Sequence, residues 1–238
     1  MVLQYIIVGM LLAFASSVAV VKNKLTVAAG IWGGITGFII FIGSGWMGIV
    51  ALATFFVLGT ACTSFGMGKK QQLGLVSKEE SKRTTGQVFA NAGVAGMLSL
   101  LMMLFPAENN VLLLMLAASF ASATADTMSS ELGNVFGSNY FNIITFKKDK
   151  RGLDGVISLE GTFIGIGGSA VIALLYACFC GFNNRLLIIV IAGAIGNIAD
   201  SVLGATVERR GLLTNNQVNF LNTLAGAIVG LGLLYFIG

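Results

Sequence analysis

The sequence predicts an all-α, polytopic transmembrane helical bundle, and three observations carry that expectation. Of its 238 residues, 56% are hydrophobic and only 10% charged, with a mean hydropathy of +0.89, a balance typical of membrane domains. Apolar stretches of bilayer-spanning length recur along the whole chain. The connections between them alternate between long, basic loops and very short ones that carry no Lys or Arg. β-Barrel alternation is absent, and the 32 glycines with a single proline suit closely packed membrane helices.

The spans fall at about 2–21, 25–43, 46–65, 86–105, 111–130, 157–180, 185–205 and 218–237. Eight is the expected count, within a range of six to eight, because the tight Gly43–Gly45 connection blurs the second and third spans. The first run has no basic segment before it and continues to Val21, ahead of Lys22 and Lys24. It therefore reads as a first spanning helix with its N-terminus outside, not as a cleaved signal. A single integral-membrane domain over 1–238 is expected, with 1–65 the less characteristic part and 80–230 the motif-bearing core.

The loops fix the orientation. Lys22, Lys24, Lys69, Lys70, Lys78, Lys82, Arg83, Lys147, Lys148, Lys150, Arg151, Arg209 and Arg210 fall on the long-loop side, and only Arg185, of 14 Lys and Arg, falls on the other. The positive-inside rule makes the long loops cytoplasmic; a bacterial inner membrane is the expected location. A net charge of +4 confined to membrane loops calls for no nucleic-acid partner. The absence of histidine excludes His-based metal sites and His general bases. Three cysteines make no secreted disulfide framework, and Cys178 and Cys180 are too close to bridge easily.

The stretch Ser122–Gly133, SATADTMSSELG, closes the fifth span with Asp126 and Glu131 where lipid-facing residues would be expected. An ionisable residue at membrane depth is costly and normally faces the bundle interior. On a helix, Asp126 and Ser130 share one face, while Thr127 and Glu131 share the next. The two acids then stand about 140° apart, so one straight helix cannot aim both at one ion. Either the helix breaks near Ser129–Ser130 or the carboxylates have different jobs. The structural alternative is a helix end with a surface acid and Gly133 as its cap.

Other polar stripes lie on the same side. Thr84, Gln87 and Asn91 open the fourth span; Ser158, Gly161, Thr162, Gly165 and Ser169 open the sixth; Asn197 and Asp200 end the seventh; Asn215, Asn219 and Asn222 open the eighth. One such stripe is usually packing glue; five on one side, two with acids, predict a cavity open to the cytosol. Ala125-Asp126-Thr127 also recurs as Ala199-Asp200-Ser201, and Gln87-Val88 with Asn91 recurs loosely as Gln217-Val218 with Asn222. The echo is weak and fits either an internal repeat or chance in a Gly/Ala-rich chain.

Asp126, Glu131 and Asp200 supply the hard oxygen ligands that Mg²⁺ takes alongside phosphates. Glycine-rich stretches at Gly152–Gly155 and Gly161–Gly168 allow close backbone approach to phosphate. Lys82, Arg83, Arg151, Arg209 and Arg210 are placed to offset polyphosphate charge, Arg83 and Arg151 most directly, since each precedes a polar stripe. There is no GxxxxGK[ST], no GxSxG and no Cys–His arrangement, so neither a P-loop nor an acyl-transfer nucleophile is available.

Five motifs, KRTTGQVFANAG (82–93), SATADTMSSELG (122–133), GVISLEGTFIG (155–165), NIADSVLGATVE (197–208) and NNQVNFLNTLAG (215–226), stand in the order seen in a widespread integral-membrane family. The chain thus resembles the family that includes plant and cyanobacterial phytyl-phosphate kinases and an uncharacterised animal transmembrane branch. The stretch Arg151-Gly152-Leu153-Asp154-Gly155 departs from the Gly-Thr-Asn-Gly-Gly of many relatives, which leaves the donor nucleotide open. The resemblance implies phosphoryl transfer from a nucleoside triphosphate, CTP foremost, to a prenyl monophosphate such as phytyl or geranylgeranyl phosphate. Asp126, Glu131, Asp200 and Arg83 are then the expected catalytic residues, the three acids being the Mg²⁺ ligands. Lys82, Thr84, Gln87, Asn91, Thr127, Ser130, Arg151, Gly155, Ser158, Gly161, Thr162, Asn197, Ser201, Asn215, Asn219 and Asn222 are the expected substrate and nucleotide contacts. A prenol kinase and a non-enzymatic lipid or small-molecule transporter are the alternatives.

Overall fold

The computed structural model describes residues 2–75 and 82–237; Lys78, counted above among the loop cations, lies outside them. The chain forms α1 (Val2–Val21), α2 (Val27–Ser64), a short α3 (Met67–Gln72), α4 (Thr85–Leu104), α5 (Asn109–Phe136), α6 (Leu159–Cys180), α7 (Arg185–Leu203) and α8 (Asn215–Ile237). A two-residue antiparallel ladder, β1 (Phe141–Asn142) with β2 (Val156–Ile157), is the strand structure among the described residues.

Among the described residues, seven helices are long and apolar enough to cross a membrane, and α2, at 38 residues, is by far the longest. Straight, it would extend about 57 Å, nearly twice a bilayer core of about 30 Å. It is not straight. Gly45 interrupts it at φ 65°, ψ −149°, a conformation that glycine adopts without a Cβ clash. The chain folds back there: a Cβ on Gly37 would touch Leu52, and Ile49 is also at hand. The two halves of α2 thus correspond to the second and third predicted spans, which gives eight candidate crossings among the described residues.

α5 is the axis. Leu114 and Leu116–Ala125 are buried without a break, and α2, α4, α6, α7 and α8 all pack on it. Lipid is as apolar as leucine, so helices in a bilayer associate through close packing. Side chains at Gly193, Gly196 and Gly226 would collide with Ala121, Ser122 and Ala118 of α5. α5 also runs on past the expected end at residue 130, to Phe136, with Gly137 as its cap. Gly133 therefore lies inside the helix, where it meets Gly161 of α6, and the helix-end alternative does not hold.

The long connections gather at one end of the bundle. Lys24 Nζ reaches Ser64 Oγ at 2.9 Å, and Thr26 N donates to Arg83 O at 3.0 Å. Lys69 Nζ donates to Val135 O at 2.5 Å, and Arg209 Nε donates to Asp154 O at 2.6 Å. At the opposite end, the short connections close the bundle, with Asn184 Nδ2 donating to Ile237 O at 2.7 Å. A cysteine at exposed Lys148 should be shielded from an impermeant thiol reagent in intact cells, and one at exposed Asn109 should react. Labelling at 148 from outside would invert the orientation.

Candidate functional site

A polar cleft of about 390 Å³ opens among the gathered loops. Its floor is built by α5 and α7, whose buried faces carry Asp126 and Asp200. The two carboxyls lie within hydrogen-bonding reach of each other. Asp200 Oδ1 is buried and has no hydrogen-bond partner among the described residues. Adjacent carboxylates repel unless a proton or a cation lies between them. An orphaned acceptor beside a second acid suits a hard cation, and Mg²⁺ is held by one or two carboxylates with phosphate oxygens completing its shell.

Glu131 does not join this pair. α5 continues unbroken through Ser129–Ser130, so the acids point apart and do different jobs. Glu131 Oε2 lies 2.6 Å from Lys70 Nζ of α3, and Oε1 accepts from Thr63 Oγ1 at 3.0 Å. Lys70, almost completely buried, also donates to Cys62 O and Thr63 O in the last turn of α2. Lys69 does the same for α5 at Val135 O. Cations suit helix C-termini, where carbonyls lack partners, so α3 works as a clamp joining two helix ends. Among the described residues no three Asp, Glu or Cys come together as a metal-ligand group, so the expected three-carboxylate ligand set is not assembled.

Arg83 faces the carboxylates from the α2–α4 side of the cleft. Its guanidinium lies over Phe55 and Phe56, 5.2 and 5.7 Å from the ring centroids. Burial pulls its pKa below the ordinary value, and nearby Glu131 works against that; a guanidinium stays charged even so. The Arg83 guanidinium lies against Gly59, where a Cβ would make it shift.

Gln87, Asn91, Thr127, Ser130, Gly155, Ser158, Asn197, Ser201, Asn215 and Asn219 line the cleft with Arg83 and the three acids. Six predicted contacts do not line it. Lys82 is exposed. Thr84 caps α4, its N–H bonded to Gln87 Oε1 at 2.9 Å. Gly161 lets α5 and α6 meet, and Thr162 Oγ1 donates to Ser158 O. Arg151 is occupied elsewhere, stacked 4.5 Å from the Tyr140 ring centroid and donating to Gly137 O at 2.9 Å. Asn222 is buried beneath the floor, where Ser122 Oγ donates to its Oδ1, and its amide neighbours Asp200.

Sequence reasoning missed Lys24, Lys70, Tyr140, Asp154 and Glu208. A 3.6-residue period puts Glu208 about 80° round from Asp200, but Gly204–Glu208 is a π turn, which is wider and reduces that angle. The turn also seats the 137–158 loop, since a side chain at Gly155, φ 68°, would strike Ala205. A Thr-x-x-Gln helix-start pattern was legible at Thr84–Gln87 and would have flagged their capping role.

A helical bundle of membrane-spanning length, with a polar, carboxylate-floored cleft at one end, defines the class: a polytopic integral membrane protein. The profile of the DUF92 family of integral membrane proteins matches residues 10–227. The chain belongs to this family. It is 33% identical to an uncharacterised membrane protein of Methanocaldococcus jannaschii over 94% of this chain and 92% of that one. It is 31% identical to an uncharacterised membrane protein of Synechocystis over 84% and 78%. It is 32% identical to the chloroplastic protein VTE6 of Arabidopsis thaliana over 80% of this chain and 59% of VTE6. No solved structure matches the chain.

Removing one partner of a buried ion pair strands the other, at a cost of about 3–5 kcal/mol. Glu131→Gln should therefore lower the thermal midpoint of the purified protein markedly, and Lys70→Met with Glu131→Leu should recover much of it. Unchanged melting of Glu131→Gln would refute the clamp.

Proposed function

We propose that the protein is a membrane-embedded kinase that transfers a phosphoryl group from a nucleoside triphosphate, CTP foremost, to a prenyl monophosphate, giving the diphosphate. What carries this reading is the pairing of Asp126 with Asp200, one oxygen of which is buried and unpartnered, on the floor of a cleft that Arg83 faces. Membership of a family that includes phytyl-phosphate kinases supports it.

Phosphoryl transfer depends mainly on positioning and charge neutralisation. Asp126 and Asp200 would hold Mg²⁺, which when bound offsets the charge of the donor's phosphates. Glu131, in this reading, is structural. Asn197, Ser201, Asn215 and Asn219 offer polar contacts around the pair. Arg83 stabilises negative charge from the opposite side. The acceptor's phosphate is already ionised near neutral pH, so its oxygen attacks the donor's terminal phosphorus without a general base. The new P–O bond forms as the bond to the departing nucleoside diphosphate breaks. That chemistry suits a cleft without histidine. The prenyl tail stays in the bilayer beside the bundle, and the cleft faces the cytoplasm, where the nucleotide is.

The opposite half of the core is packed with Met102, Leu114, Leu116, Ile172, Ile188 and Ile189. A transporter needs gates on both sides of a midplane site, so this packing favours the enzyme over the carrier.

Purified protein in detergent, given labelled CTP or ATP with Mg²⁺, should convert phytyl or geranylgeranyl phosphate to the diphosphate and leave the alcohols largely untouched. Asp126→Asn and Asp200→Asn should each cut the rate by roughly 100-fold or more, with unchanged behaviour on size-exclusion chromatography. Faster phosphorylation of the alcohol would make the protein a prenol kinase; full activity of Asp126→Asn would remove the carboxylate pair from the mechanism.

A further inference from the structure

Two cations line the cleft from adjoining backbone segments, and one of them comes from the part of the chain that carries none of the motifs. Lys24 sits in the turn between α1 and α2, and Arg83 just before α4. Their backbones are laced together: Arg83 N donates to Lys24 O at 2.9 Å, and Thr26 N donates to Arg83 O at 3.0 Å. Both side chains line the cleft.

Neither forms an ion pair among the described residues, whose ion pairs are Lys70–Glu131 and Arg209–Asp149, although Glu131 lies near Arg83. The Lys24 ammonium donates to Ser64 Oγ at 2.9 Å, which leaves two of its three donors. Phe55 and Phe56 cover the Arg83 guanidinium and supply no acceptor for its N–H groups. A partly buried cation without a counter-ion is unfavourable unless an anion joins it. Thr60 also lines the cleft. Asp126 and Asp200 come from the α5–α7 floor, and Glu131 is taken up by Lys70 and Thr63. The paired aspartates and the two cations without an ion pair thus come from different walls of the cleft.

Building on the kinase reading, we infer that Lys24 and Arg83 form the seat of the acceptor's phosphate monoester, which makes the α1–α2 turn part of the active site. Oxygens of the monoester accept from the Lys24 ammonium and the Arg83 guanidinium, and another oxygen is left to attack across the cleft. That oxygen forms the bond to the donor's terminal phosphorus. The bond to the nucleoside diphosphate breaks and its electron pair leaves with that group. No proton has to move.

The test uses wild type, Lys24→Gln and Lys24→Arg, each purified in detergent, with geranylgeranyl phosphate and CTP–Mg²⁺ varied separately. Lys24→Gln should raise the KM for the acceptor roughly tenfold and leave the KM for CTP within about twofold, while Lys24→Arg stays within about threefold of wild type. A rise in the CTP KM instead would hand the seat to the donor's phosphates; no change in either would refute it. A second arm needs no turnover. Without nucleotide, geranylgeranyl phosphate should raise the wild-type thermal midpoint and geranylgeraniol should not, and Lys24→Gln should lose the difference. A Lys24-dependent shift in a protein that transfers no phosphoryl group would sink the kinase reading and leave the phosphate seat standing. An equal shift in Lys24→Gln would refute the seat whatever the activity.

Discussion

The structure depends on keeping acids inside a membrane bundle. An uncompensated carboxylate at the centre of a spanning helix costs roughly 2.5–3.5 kcal/mol on insertion scales, and α5 and α7 carry three acids between them in Asp126, Glu131 and Asp200. The fold meets this in two ways. Glu131 is neutralised by Lys70, which α3 delivers into the same buried layer. Asp126 and Asp200 are set against each other at the base of a cleft, an arrangement that a bound cation would stabilise. One acid is used in architecture, and on the proposed reading the other two serve a bound cation.

The packing of α5 follows from the same constraint. Its polar face must be enclosed by other helices, so glycines on α7 and α8 press against Ala118, Ala121 and Ser122. The same face continues down through Ser122 to Asn222, whose amide neighbours Asp200. At the open end, the 137–158 loop is tied to the π turn by Arg209, which bonds both Asp154 O and the Asp149 carboxylate. The walls of the cleft are therefore set by helix ends and one pinned loop.

Much of this was legible in the sequence. Span length and the charge split gave the crossings and the end at which the polar residues gather, because both are properties of single segments. Asp126 and Asp200 were legible as acids at the loop-side ends of their spans, though grouped with Glu131 in one ligand set. The role of Glu131 was not, because Lys70 looked like any loop cation until α3 turned it inward. The Gln-Val echo also has a local cause: Gln87 and Gln217 each cap the helix they open, from Thr84 and Thr214. Glu208 was hidden by a π turn that no 3.6-residue period anticipates, and Lys24 by its distance in sequence from every motif.

The central claim is that Asp126 and Asp200 together hold a divalent cation in company with nucleotide phosphates. Mn²⁺, a paramagnetic substitute for Mg²⁺, tests it most directly through electron paramagnetic resonance of the purified protein with CTP. Wild type should show bound Mn²⁺ beyond that held by the nucleotide in solution, and both Asp126→Asn and Asp200→Asn should lose that signal while remaining folded. Equal Mn²⁺ binding by wild type and the two variants would contradict the account.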